Sequence, residues 1–392
     1  MTRRLIILGL GAMGSATACY AARAGLQVTG IDLHRPPHVH GSHHGESRMI
    51  RQAYFEHPAY VPFLLRAYTL WDALQADTGR ELLLRTGGLM AGRHDSALIE
   101  GVLRSAAQWG LPHERLSTAQ VRQRYPHFHL DRDMEAVFET AAGLLRPEAC
   151  VDTFLDVARH HGARLLAPCT VHRWHATPAG VQVHTDQGLL EADQLVLSAG
   201  AGLPGLLARS EGLPAGAPAR IAAHVRVTRQ VVAHYTAGPA GLPLDRQHLP
   251  VFAIEEPDGR FYYGFPDLGH GLKVARHGGG EDVGHAEVDT TLRSADLREL
   301  DAFLQRRMPG CTDAVREGIV CRYTNTPDQH FVIDRLAPNV VLCSPCSGHG
   351  MKFASAVGEE VARMAMQLPP RNDLGFFSLR RFAGAEAVTA AT

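Results

Sequence analysis

The sequence predicts a mixed α/β fold in which a Rossmann-type domain is interleaved with a domain built on an antiparallel sheet. Near the start of the chain, Leu5 to Asp32 reads as an apolar strand, a glycine turn, a helix of small residues and a second strand that ends in an acid. From residue 223 to 274, β-type runs separated by turn residues dominate instead. Strands of the first kind return near residue 318, so two domains are predicted to share the chain rather than to follow one another.

The glycine turn has the spacing Gly9-Leu-Gly11-Ala-Met-Gly14, which is typical of a dinucleotide-binding turn. Gly9 allows a sharp change from strand to helix. The absent side chain of Gly11 lets backbone amides reach a pyrophosphate, and Gly14 permits close packing of the helix on the sheet. The helix N-terminus then faces the negative charge. The turn predicts a bound dinucleotide but does not say which one.

Asp32 ends the second strand at the position where a carboxylate can accept hydrogen bonds from an adenosine ribose. The same carboxylate would repel a 2′-phosphate, so the sequence disfavours NADP.

A secretory signal peptide is the alternative interpretation of this stretch. Arg3 and Arg4 precede an uncharged run from residue 5 to 22, which contains a possible cleavage site at Ala16-Thr-Ala18. Three glycines at dinucleotide-binding spacing would have no purpose in a discarded peptide, so we favour the nucleotide-binding interpretation.

The composition favours a small-molecule partner. The chain has 392 residues, of which 45% are hydrophobic and 20% charged, enough for two or three domain-sized cores. A formal net charge of −1 gives no general attraction for nucleic acid or an anionic membrane, and we expect neither as a partner. The 7 cysteines are scattered and odd in number, which is not a disulfide framework. With no other targeting segment, we expect a cytoplasmic protein.

A histidine-rich loop follows Asp32, and its prolines and glycines exclude regular structure in its first half. The clustered imidazoles suggest a metal site, but no cysteine or paired acid stands at a useful spacing, so we expect no metal. A loop that lies over the cofactor is the better hypothesis. Arg48 and Arg51, three residues apart, are predicted to share a face.

Helices are predicted where apolar residues recur at helical spacing. Pro147 followed by Glu148 marks a first turn, and Gly310 ends a helix. The predicted helices cover residues 60–78, two pieces within 95–125, residues 147–161, residues 291–308 and a segment that begins near residue 350.

Strands are predicted at shorter apolar runs. Glu256-Pro-Asp-Gly259 supplies turn chemistry for a hairpin between residues 251–254 and 261–264. A buried strand at 194–197 ends in the second glycine turn, Ser198 to Gly202, which predicts that the nucleotide-binding sheet has resumed. Further strands are predicted near residues 86–92, 137–140, 164–166, 170–171, 181–183, 331–334 and 340–342.

Four motifs resemble the monomeric sarcosine oxidase and N-methyltryptophan oxidase family of flavoproteins, across nearly the whole chain. They are the glycine turn, the loop from Gly41 to Arg51, the pair Tyr263-Gly-Phe-Pro and Gly271-Leu-Lys273, and the stretch from Cys321 to Asp328 together with Ser347 to Phe353. The resemblance implies a bound FAD that is attached covalently to a cysteine. It also implies oxidation of the N-methyl group of secondary amino acids by oxygen.

The resemblance assigns roles residue by residue. Cys321 matches the cysteine that carries the flavin, and Lys273 matches the lysine that activates oxygen, where a fixed cation would stabilise developing superoxide. Arg51 and Lys352 match the pair that holds the substrate carboxylate. The remaining catalytic positions that it implies, around the substrate or the flavin ring, are His277, Tyr263, Tyr323, Arg48 and His44.

The resemblance also implies the cofactor-binding positions. The glycine turn before the last helix would face the flavin and stabilise its anionic reduced ring. The implied cofactor-binding residues are Gly9, Gly11, Ala12, Met13, Gly14, Asp32, Ser42, His43, His44, Arg48, Val171, Gly200, Cys321, Gly348, His349, Gly350 and Lys352.

One feature departs from the family pattern. Cys343-Ser-Pro-Cys346 stands immediately before the last glycine turn, where relatives carry small apolar residues. Such a pair can be a redox dithiol or half of a metal site. No second pair occurs in the chain, so we favour simple packing.

The predicted FAD-binding domain comprises residues 1–85, 145–215 and 318–385, and the predicted substrate domain comprises residues 86–144 and 216–317. The leading functional hypothesis is a monomeric oxidase that converts an N-methyl amino acid and O2 to the amino acid, formaldehyde and hydrogen peroxide. N-methyl-L-tryptophan is the favoured substrate type and sarcosine the alternative. Hypotheses from other classes are an NAD-dependent dehydrogenase and a dithiol or metal-binding protein built on Cys343 and Cys346.

Overall fold

The computed structural model describes residues 3–284 and 289–382 of the chain. In chain order, the strands are β1 (Arg4–Leu8), β2 (Gln27–Ile31), β3 (Arg48–Ile50), β4 (Leu83–Arg85), β5 (Gly88–Arg93), β6 (Glu114–Ser117), β7 (Met134–Glu139), β8 (Gly143–Leu145), β9 (Arg164–Leu166), β10 (Val171–Thr177), β11 (Gly180–Thr185), β12 (Gly188–Ala192), β13 (Gln194–Leu197), β14 (Ser210–Glu211), β15 (Arg226–Ala237), β16 (Val251–Glu255), β17 (Phe261–Phe265), β18 (Leu272–His277), β19 (Thr312–Asn325), β20 (Val332–Ala337) and β21 (Val340–Ser344).

The α-helices connect and cover these strands. In chain order, they are α1 (Ala12–Arg23), α2 (Val61–Thr78), α3 (Ala97–Trp109), α4 (Thr118–Arg124), α5 (Pro147–His160), α6 (Leu203–Leu207), α7 (Ala217–Ala223), α8 (Ser294–Arg307) and α9 (Ala354–Ala365). Among the described residues, none of the helices combines the length and the apolar character that a membrane crossing requires.

A six-stranded sheet contains the glycine turn, in the order β20-β21-β13-β1-β2-β9. Its strands are parallel except β20, which runs antiparallel to β21. The central strands β13 and β21 are buried along their whole length, which agrees with their continuous apolar sequences. Because β1, β2, β13 and β21 are parallel, their carboxyl ends meet at one edge of the sheet, where Gly9, Asp32 and Ser198 follow.

Helix α1 packs between α5 and α9. Its small residues allow a close approach, because a methyl group on Gly358 of α9 would come within 2.6 Å of the backbone of Ala16. Farther out, the buried rings of Trp71 and Phe154 pack with centroids 5.2 Å apart. The predicted mixed α/β fold with a Rossmann-type nucleotide-binding unit is confirmed.

An eight-stranded sheet has the order β19-β15-β18-β17-β16-β5-β7-β6. The predicted hairpin is confirmed as the antiparallel pair β16 and β17. The sheet is antiparallel except that β5 runs parallel to β16. Phe303 of α8 stacks on Tyr262 of β17 with ring centroids 4.3 Å apart. The residue boundary predicted at 318 falls within β19, so this strand pairs with β15 on both sides of it.

Two smaller sheets complete the described part of the chain, with the orders β12-β11-β10-β14 and β3-β8-β4. The helices predicted at residues 60–78, 147–161 and 291–308 are confirmed as α2, α5 and α8. The region 95–125 contains α3 and α4, but a short strand, β6, separates them. Parts of the predicted domains at residues 1–2, 285–288 and 383–385 lie outside the described residues.

Candidate cofactor and substrate site

A cavity of about 770 Å³ opens at the carboxyl edge of the six-stranded sheet and extends to the eight-stranded sheet. Its lining includes residues predicted for the cofactor and residues predicted for the substrate. The predicted residues that line it are Gly9, Gly11, Ala12, Met13, Asp32, Ser42, His43, Arg48, Arg51, Val171, Gly200, Tyr263, His277, Tyr323, Gly348, His349, Gly350 and Lys352.

The glycine turn leaves no room for side chains. Gly9 has a φ of +93°, and a methyl group added to it would stand 2.6 Å from the carbonyl oxygen of Ser198. A methyl group on Gly14 would stand 1.8 Å from the carbonyl oxygen of Gly9. The sharp turn predicted at Gly9 and the close packing predicted at Gly14 are therefore present in the structure.

The N-terminus of α1 faces this cavity through Gly11, Ala12 and Met13. No side chain caps it, and its first turn contains no acid. The first backbone N–H groups of a helix have no partner within the helix, and the helix dipole adds positive potential there. This helix end can therefore bind an anion such as a pyrophosphate.

Asp32 accepts three hydrogen bonds at the end of β2. Its Oδ2 accepts from the backbone N–H of Leu10 at 2.7 Å, and its Oδ1 accepts from the backbone N–H of His34 at 2.9 Å and from Nε2 of His38 at 3.2 Å. Burial alone would raise the pKa of Asp32, but the hydrogen bonds, with that of His38 the largest among them, hold it below its usual value. The carboxylate is thus fixed in its charged form.

The histidine-rich loop forms a group of rings above Asp32. The rings of His34 and His40 stack with centroids 3.9 Å apart, and His38 lies 5.1 Å from His43. In the part of the chain that the structure describes, no three His, Cys, Asp or Glu side chains are arranged to hold a metal ion. Nδ1 of His38 and Nε2 of His43 are buried and find no hydrogen-bond partner within residues 3–284 and 289–382.

Arg51 is a buried cation at the other end of the cavity. Its Nη2 donates to both carboxylate oxygens of Glu56 at 3.0 Å. Burial alone would raise the pKa of Glu56, but Arg51 lowers it to about 2, so the pair is ionic. The Nη1 of Arg51 is buried and has no partner among the described residues. It is therefore an available donor for an anionic group in the cavity.

Glu139 fixes the backbone that follows Arg51. It ends β7, is 3% exposed, and accepts hydrogen bonds from the backbone N–H groups of Gln52 at 2.6 Å and Ala53 at 2.9 Å. Burial raises the pKa of this carboxyl group above its usual value. Sequence reasoning missed the roles of Glu56 and Glu139, although an acid at the end of the apolar run Val137-Phe138 was a usable signal for the second.

Lys352 is the second buried cation of this end, 6% exposed. Its Nζ donates to the carbonyl oxygen of His349 at 2.7 Å and lies 5.3 Å from the ring centre of Tyr54. Burial, and then the nearby charge of Arg51, lower the pKa of Lys352 to about 7.

His349 is held as a neutral ring. The carbonyl oxygen of Gln329 can only accept, so Nε2 of His349 carries the proton and donates to it at 2.9 Å. Nδ1 then accepts from the hydroxyl of Tyr54 at 2.6 Å. Burial lowers the pKa of His349 to about 3, in agreement with this tautomer.

Tyr263, Tyr323 and His277 form a polar aromatic wall. The two hydroxyl groups lie 3.3 Å apart, and that of Tyr323 lies 3.5 Å from Nδ1 of His277. Burial lowers the pKa of His277 to about 4, so its imidazole is neutral near pH 7. Phe55 and Phe261 stack on each other, with centroids 5.3 Å apart, and also line the cavity.

A comparison with models of protein families identifies the family of this chain. The model of the FAD dependent oxidoreductase family, abbreviated DAO, matches residues 4–364. The chain belongs to this family.

Relatives of this DAO-family chain include two curated oxidases. It is 38% identical over 392 residues to monomeric sarcosine oxidase of Streptomyces avermitilis, which covers 98% of this chain and 99% of the relative. It is also 38% identical over 382 residues to N-methyl-L-tryptophan oxidase of Yersinia pestis, covering 96% and 99%. Among solved structures, L-proline dehydrogenase from P. horikoshii has a TM-score of 0.81 at 19% identity and covers 98% of both chains, which shows the shared fold.

The residues present fit the FAD that the family binds. The uncapped N-terminus of α1 and the glycine turn suit a pyrophosphate, the charged Asp32 stands where a ribose is expected, and the cavity continues far enough for a second ring system. The unpartnered Nε2 of buried His43 adds a polar contact for a ligand.

Four predicted site residues do not line the cavity, namely Gly14, His44, Lys273 and Cys321. Gly14 packs beneath the turn, as described. His44 donates no side-chain hydrogen bond, and burial lowers its pKa to about 4. Cys321 is buried in β19, opposite Gln230 of β15, and packs beside Tyr263.

Lys273 turns its amine to the backbone of the loop before β3. Nζ donates to the carbonyl oxygen of Gly45, to the carbonyl oxygen of Ser47 at 2.9 Å and to its Oγ at 3.1 Å. Burial, and then Arg48, lower the pKa of Lys273 to about 7. Arg48 itself donates to the carbonyl oxygens of Ser42 at 3.0 Å and Ser47 at 2.7 Å, and so holds the same loop.

Cys343 and Cys346 both line the cavity, and both are free thiols. Burial raises the pKa of Cys343 well above its usual value, which keeps this thiol protonated. Sγ of Cys346 accepts a hydrogen bond from the backbone N–H of Thr324 at 3.4 Å. These contacts agree with a packing role.

Proposed function

We propose that the protein is an FAD-dependent oxidase that demethylates N-methyl amino acids. The reaction is R–NH–CH3 + O2 + H2O → R–NH2 + HCHO + H2O2. N-methyl-L-tryptophan is the proposed substrate type, and sarcosine is the alternative. Relatives with both names are equally identical to this chain, so their names do not choose between the two.

The buried cations Arg51 and Lys352 carry this proposal. A carboxylate that enters the cavity would meet the free Nη1 of Arg51 and the ammonium of Lys352, both shielded from water. Hydrogen bonds between charged groups are about twice as strong as neutral ones, and an arginine fork can hold both carboxylate oxygens. An amino acid is therefore bound through its carboxylate, with its amine farther into the cavity.

The same cations favour the reactive form of the amine. A nearby positive charge disfavours an ammonium group, so the bound amine loses its proton more readily than it does in water. The neutral rings of His277 and His349 add no positive charge near pH 7. The amine nitrogen thus keeps its lone pair available for oxidation.

The stacked rings of Phe55 and Phe261 favour a substrate with a flat side chain. Phe55 and Phe261 offer apolar ring faces beside Arg51, whose guanidinium lies 4.8 Å from the ring centre of Phe55. Aromatic rings stack favourably on such faces. Glycine's N-methyl derivative has no side chain to make this contact, which is why N-methyl-L-tryptophan is the first choice.

Bound FAD would supply the two-electron acceptor for oxidation of the N-methyl C–H bond of the substrate, with oxygen as the final acceptor. We assign its pyrophosphate to the N-terminus of α1, its ribose to Asp32 and the remaining contacts to the cavity residues of the sequence prediction. We propose further that Cys321 carries the flavin covalently and that the Lys273 ammonium stabilises negative charge on oxygen as it is reduced.

The domain division predicted from the sequence, the monomeric state and the cytoplasmic location stay predictions. The six-stranded and eight-stranded sheets support two units, with the first as the FAD-binding unit and the second as the substrate unit.

The test is an absorbance spectrum of the purified protein before and after acid precipitation, followed by anaerobic addition of each amine. We expect yellow protein, colour that stays in the pellet, and faster bleaching with N-methyl-L-tryptophan than with sarcosine. Faster bleaching with sarcosine would select the alternative substrate. A colourless protein, or flavin that neither amine bleaches, would contradict the proposed function.

A further inference from the structure

The loop that holds the amine of Lys273 contains a residue in an unusual conformation. Glu46 has a φ of +71°, in the left-handed region that residues other than glycine rarely adopt. The preceding Gly45 has a φ of +95°. Such a conformation is strained and persists where the surroundings impose it. The two neighbours of Glu46 in the chain, Gly45 and Ser47, accept hydrogen bonds from Nζ of Lys273 through their carbonyl oxygens.

Two histidines hold the side chain of Glu46. Nε2 of His234 lies 3.3 Å from one carboxylate oxygen, and Nε2 of His270 lies 3.7 Å from the other. His234 is 1% exposed, and neither of its ring nitrogens has a hydrogen-bond partner of good geometry among the described residues. Among the described residues, the carboxylate of Glu46 is the only charged group that pairs with His234.

His234 also stands directly beside Lys273. The two residues face each other across the antiparallel pair of β15 and β18. Residues that are directly opposite in such a pair project from the same face with Cβ atoms about 4.5–5.5 Å apart. The carboxylate, the imidazole and the ammonium therefore form one group behind the cavity wall. From the other side, Glu148 of α5 accepts the backbone N–H groups of Gly45 at 2.6 Å and Glu46 at 3.2 Å.

We propose that Glu46 is the positioning residue for Lys273, with His234 and His270 as its anchors. Its carboxylate fixes the loop whose carbonyl oxygens hold the amine, and its negative charge favours the ammonium form of that amine. This inference rests on the proposed role of Lys273 in the reaction with oxygen.

The charge effect has a definite sign. Burial and Arg48 disfavour the ammonium of Lys273, and Glu46 opposes them. Without the carboxylate, the pKa of Lys273 falls, so the ammonium is lost at a lower pH. Other titratable or charged groups that face this cluster are Arg48 and His44 of the loop, Cys321 and Glu317 of β19, Glu148 of α5 and Arg316, which donates to Gly269 beside His270.

The experiment measures reoxidation of the reduced holoenzyme by oxygen between pH 5 and 9. Glu46→Gln removes the charge and keeps the size of the side chain. Glu46→Gly removes the charge and adopts the positive φ without strain, so it should fold even if Glu46→Gln does not. For both variants we expect the pH at which the rate falls to move down by about one pH unit, with similar rates to the wild type well below it. Reduction by substrate should change little.

Glu317→Gln is the matched control. It removes the same charge from an exposed position in register with His234, and Glu317 makes no ion pair among the described residues. We expect it to leave the pH profile unchanged, because solvent screens an exposed charge. His234→Gln keeps a donor for the carboxylate and should retain the wild-type profile, whereas His234→Phe should not.

Thermal melting of the same variants provides a readout that does not depend on activity. If Glu46 and His234 act together, the decreases in melting temperature for Glu46→Gln and His234→Phe will not add in the double variant. An unshifted pH profile for both Glu46 variants, or an equal shift for Glu317→Gln, would overturn the inference. If Lys273→Met leaves reoxidation unchanged, the proposed function of Lys273 fails instead, whatever the Glu46 variants do.

Discussion

At the scale of single residues, the two cations of the substrate end differ in what they contribute. Arg51 is already paired with Glu56 through Nη2 and offers only Nη1 to a ligand. Lys352 has no carboxylate of the described residues within hydrogen-bond distance and donates to a carbonyl oxygen instead. The first therefore provides a fixed, permanently charged donor, and the second provides a charge that depends on pH.

We expect Arg51→Lys to weaken substrate binding about 10- to 100-fold, because an ammonium cannot hold Glu56 and a substrate carboxylate with the geometry of a guanidinium. The dissociation constant from anaerobic flavin reduction measures this effect. Arg85→Lys is the control, since Arg85 forms an exposed pair with Asp72 outside the cavity. An unchanged dissociation constant for Arg51→Lys would remove Arg51 from the substrate site.

The pKa of Lys352, lowered to about 7, predicts how carboxylate binding depends on pH. The ammonium is present below this pKa and is lost above it. The affinity for a carboxylate without an amine should therefore fall about three- to tenfold between pH 6 and 8, measured by perturbation of the flavin spectrum. His277, with a pKa of about 4, stays neutral throughout this range.

Lys352→Met should bind the carboxylate more weakly and lose this pH dependence. A wild-type affinity that is constant over the same range, or a variant that retains the dependence, would show that another group is responsible.

Residues of the site could be predicted where a short motif carries them. Gly9 and Gly11 of the glycine turn, Arg51, Lys352 and Tyr323 line the cavity, whereas Gly14, Lys273 and Cys321 do not, although motifs carry them too. Glu56 and Glu139 could not be assigned because their role lies in contacts with other segments. The distance from Gln52 to Glu139 along the chain leaves no periodic signal. For the same reason, the sequence gives no sign that the amine of Lys273 turns to the loop at Gly45.

At the scale of secondary-structure elements, long periodic segments are predicted well and short ones poorly. Helix α2 begins within one residue of the prediction, because its apolar face is long and regular. It ends where predicted, because Gly79, with a φ of +68°, follows its last residue. Strand β6 was hidden inside a region that looked helical. Its four residues contain one buried side chain, Leu116, which is too little for a period.

A buried ion pair helps to anchor α8 to the β16–β17 hairpin. Arg307, the last residue of α8, is fully buried and donates to both oxygens of Glu256 at 2.6 and 2.7 Å. Its neighbour Arg306 lies 3.5 Å from the same carboxylate but is 54% exposed. The two arginines thus form a natural comparison of a buried and an exposed partner.

We expect Arg307→Met to lower the free energy of unfolding by about 3–5 kcal/mol, because it leaves a buried carboxylate without its cation. Arg306→Met should cost less than about 1 kcal/mol, as exposed ion pairs do. Urea denaturation of both variants measures the difference. Equal losses would mean that Glu256 is not held mainly by Arg307.

At the scale of the whole molecule, the cofactor cavity joins the two large sheets, because residues after β1, β2 and β13 line it together with residues of β17 and β18. A ligand that fills it contacts both sheets at once. Binding therefore stabilises the folded chain as a unit.

We expect Cys321→Ala to release its flavin into the supernatant on acid precipitation and to show a melting temperature that rises with added FAD. At 100 times the dissociation constant, the stabilisation is about 2.7 kcal/mol. The wild type, with flavin attached, should not respond to added FAD. Flavin that stays with the precipitated variant would show that Cys321 is not the point of attachment.

The order of the six-stranded sheet also has a consequence for biosynthesis. Strand β13 lies between β1 and β21. The sheet around the glycine turn is therefore complete only when the ribosome has added the chain from Leu8, the end of β1, to Ser344, the end of β21. Ribosomes add about 5–20 residues per second, so roughly 20–70 s separate the synthesis of β1 from that of β21. Once β13 has been made, the edge of β13 that pairs with β21 has no partner for the rest of that interval. We therefore expect this edge of the nascent chain to be prone to wrong pairing until β21 emerges from the ribosome.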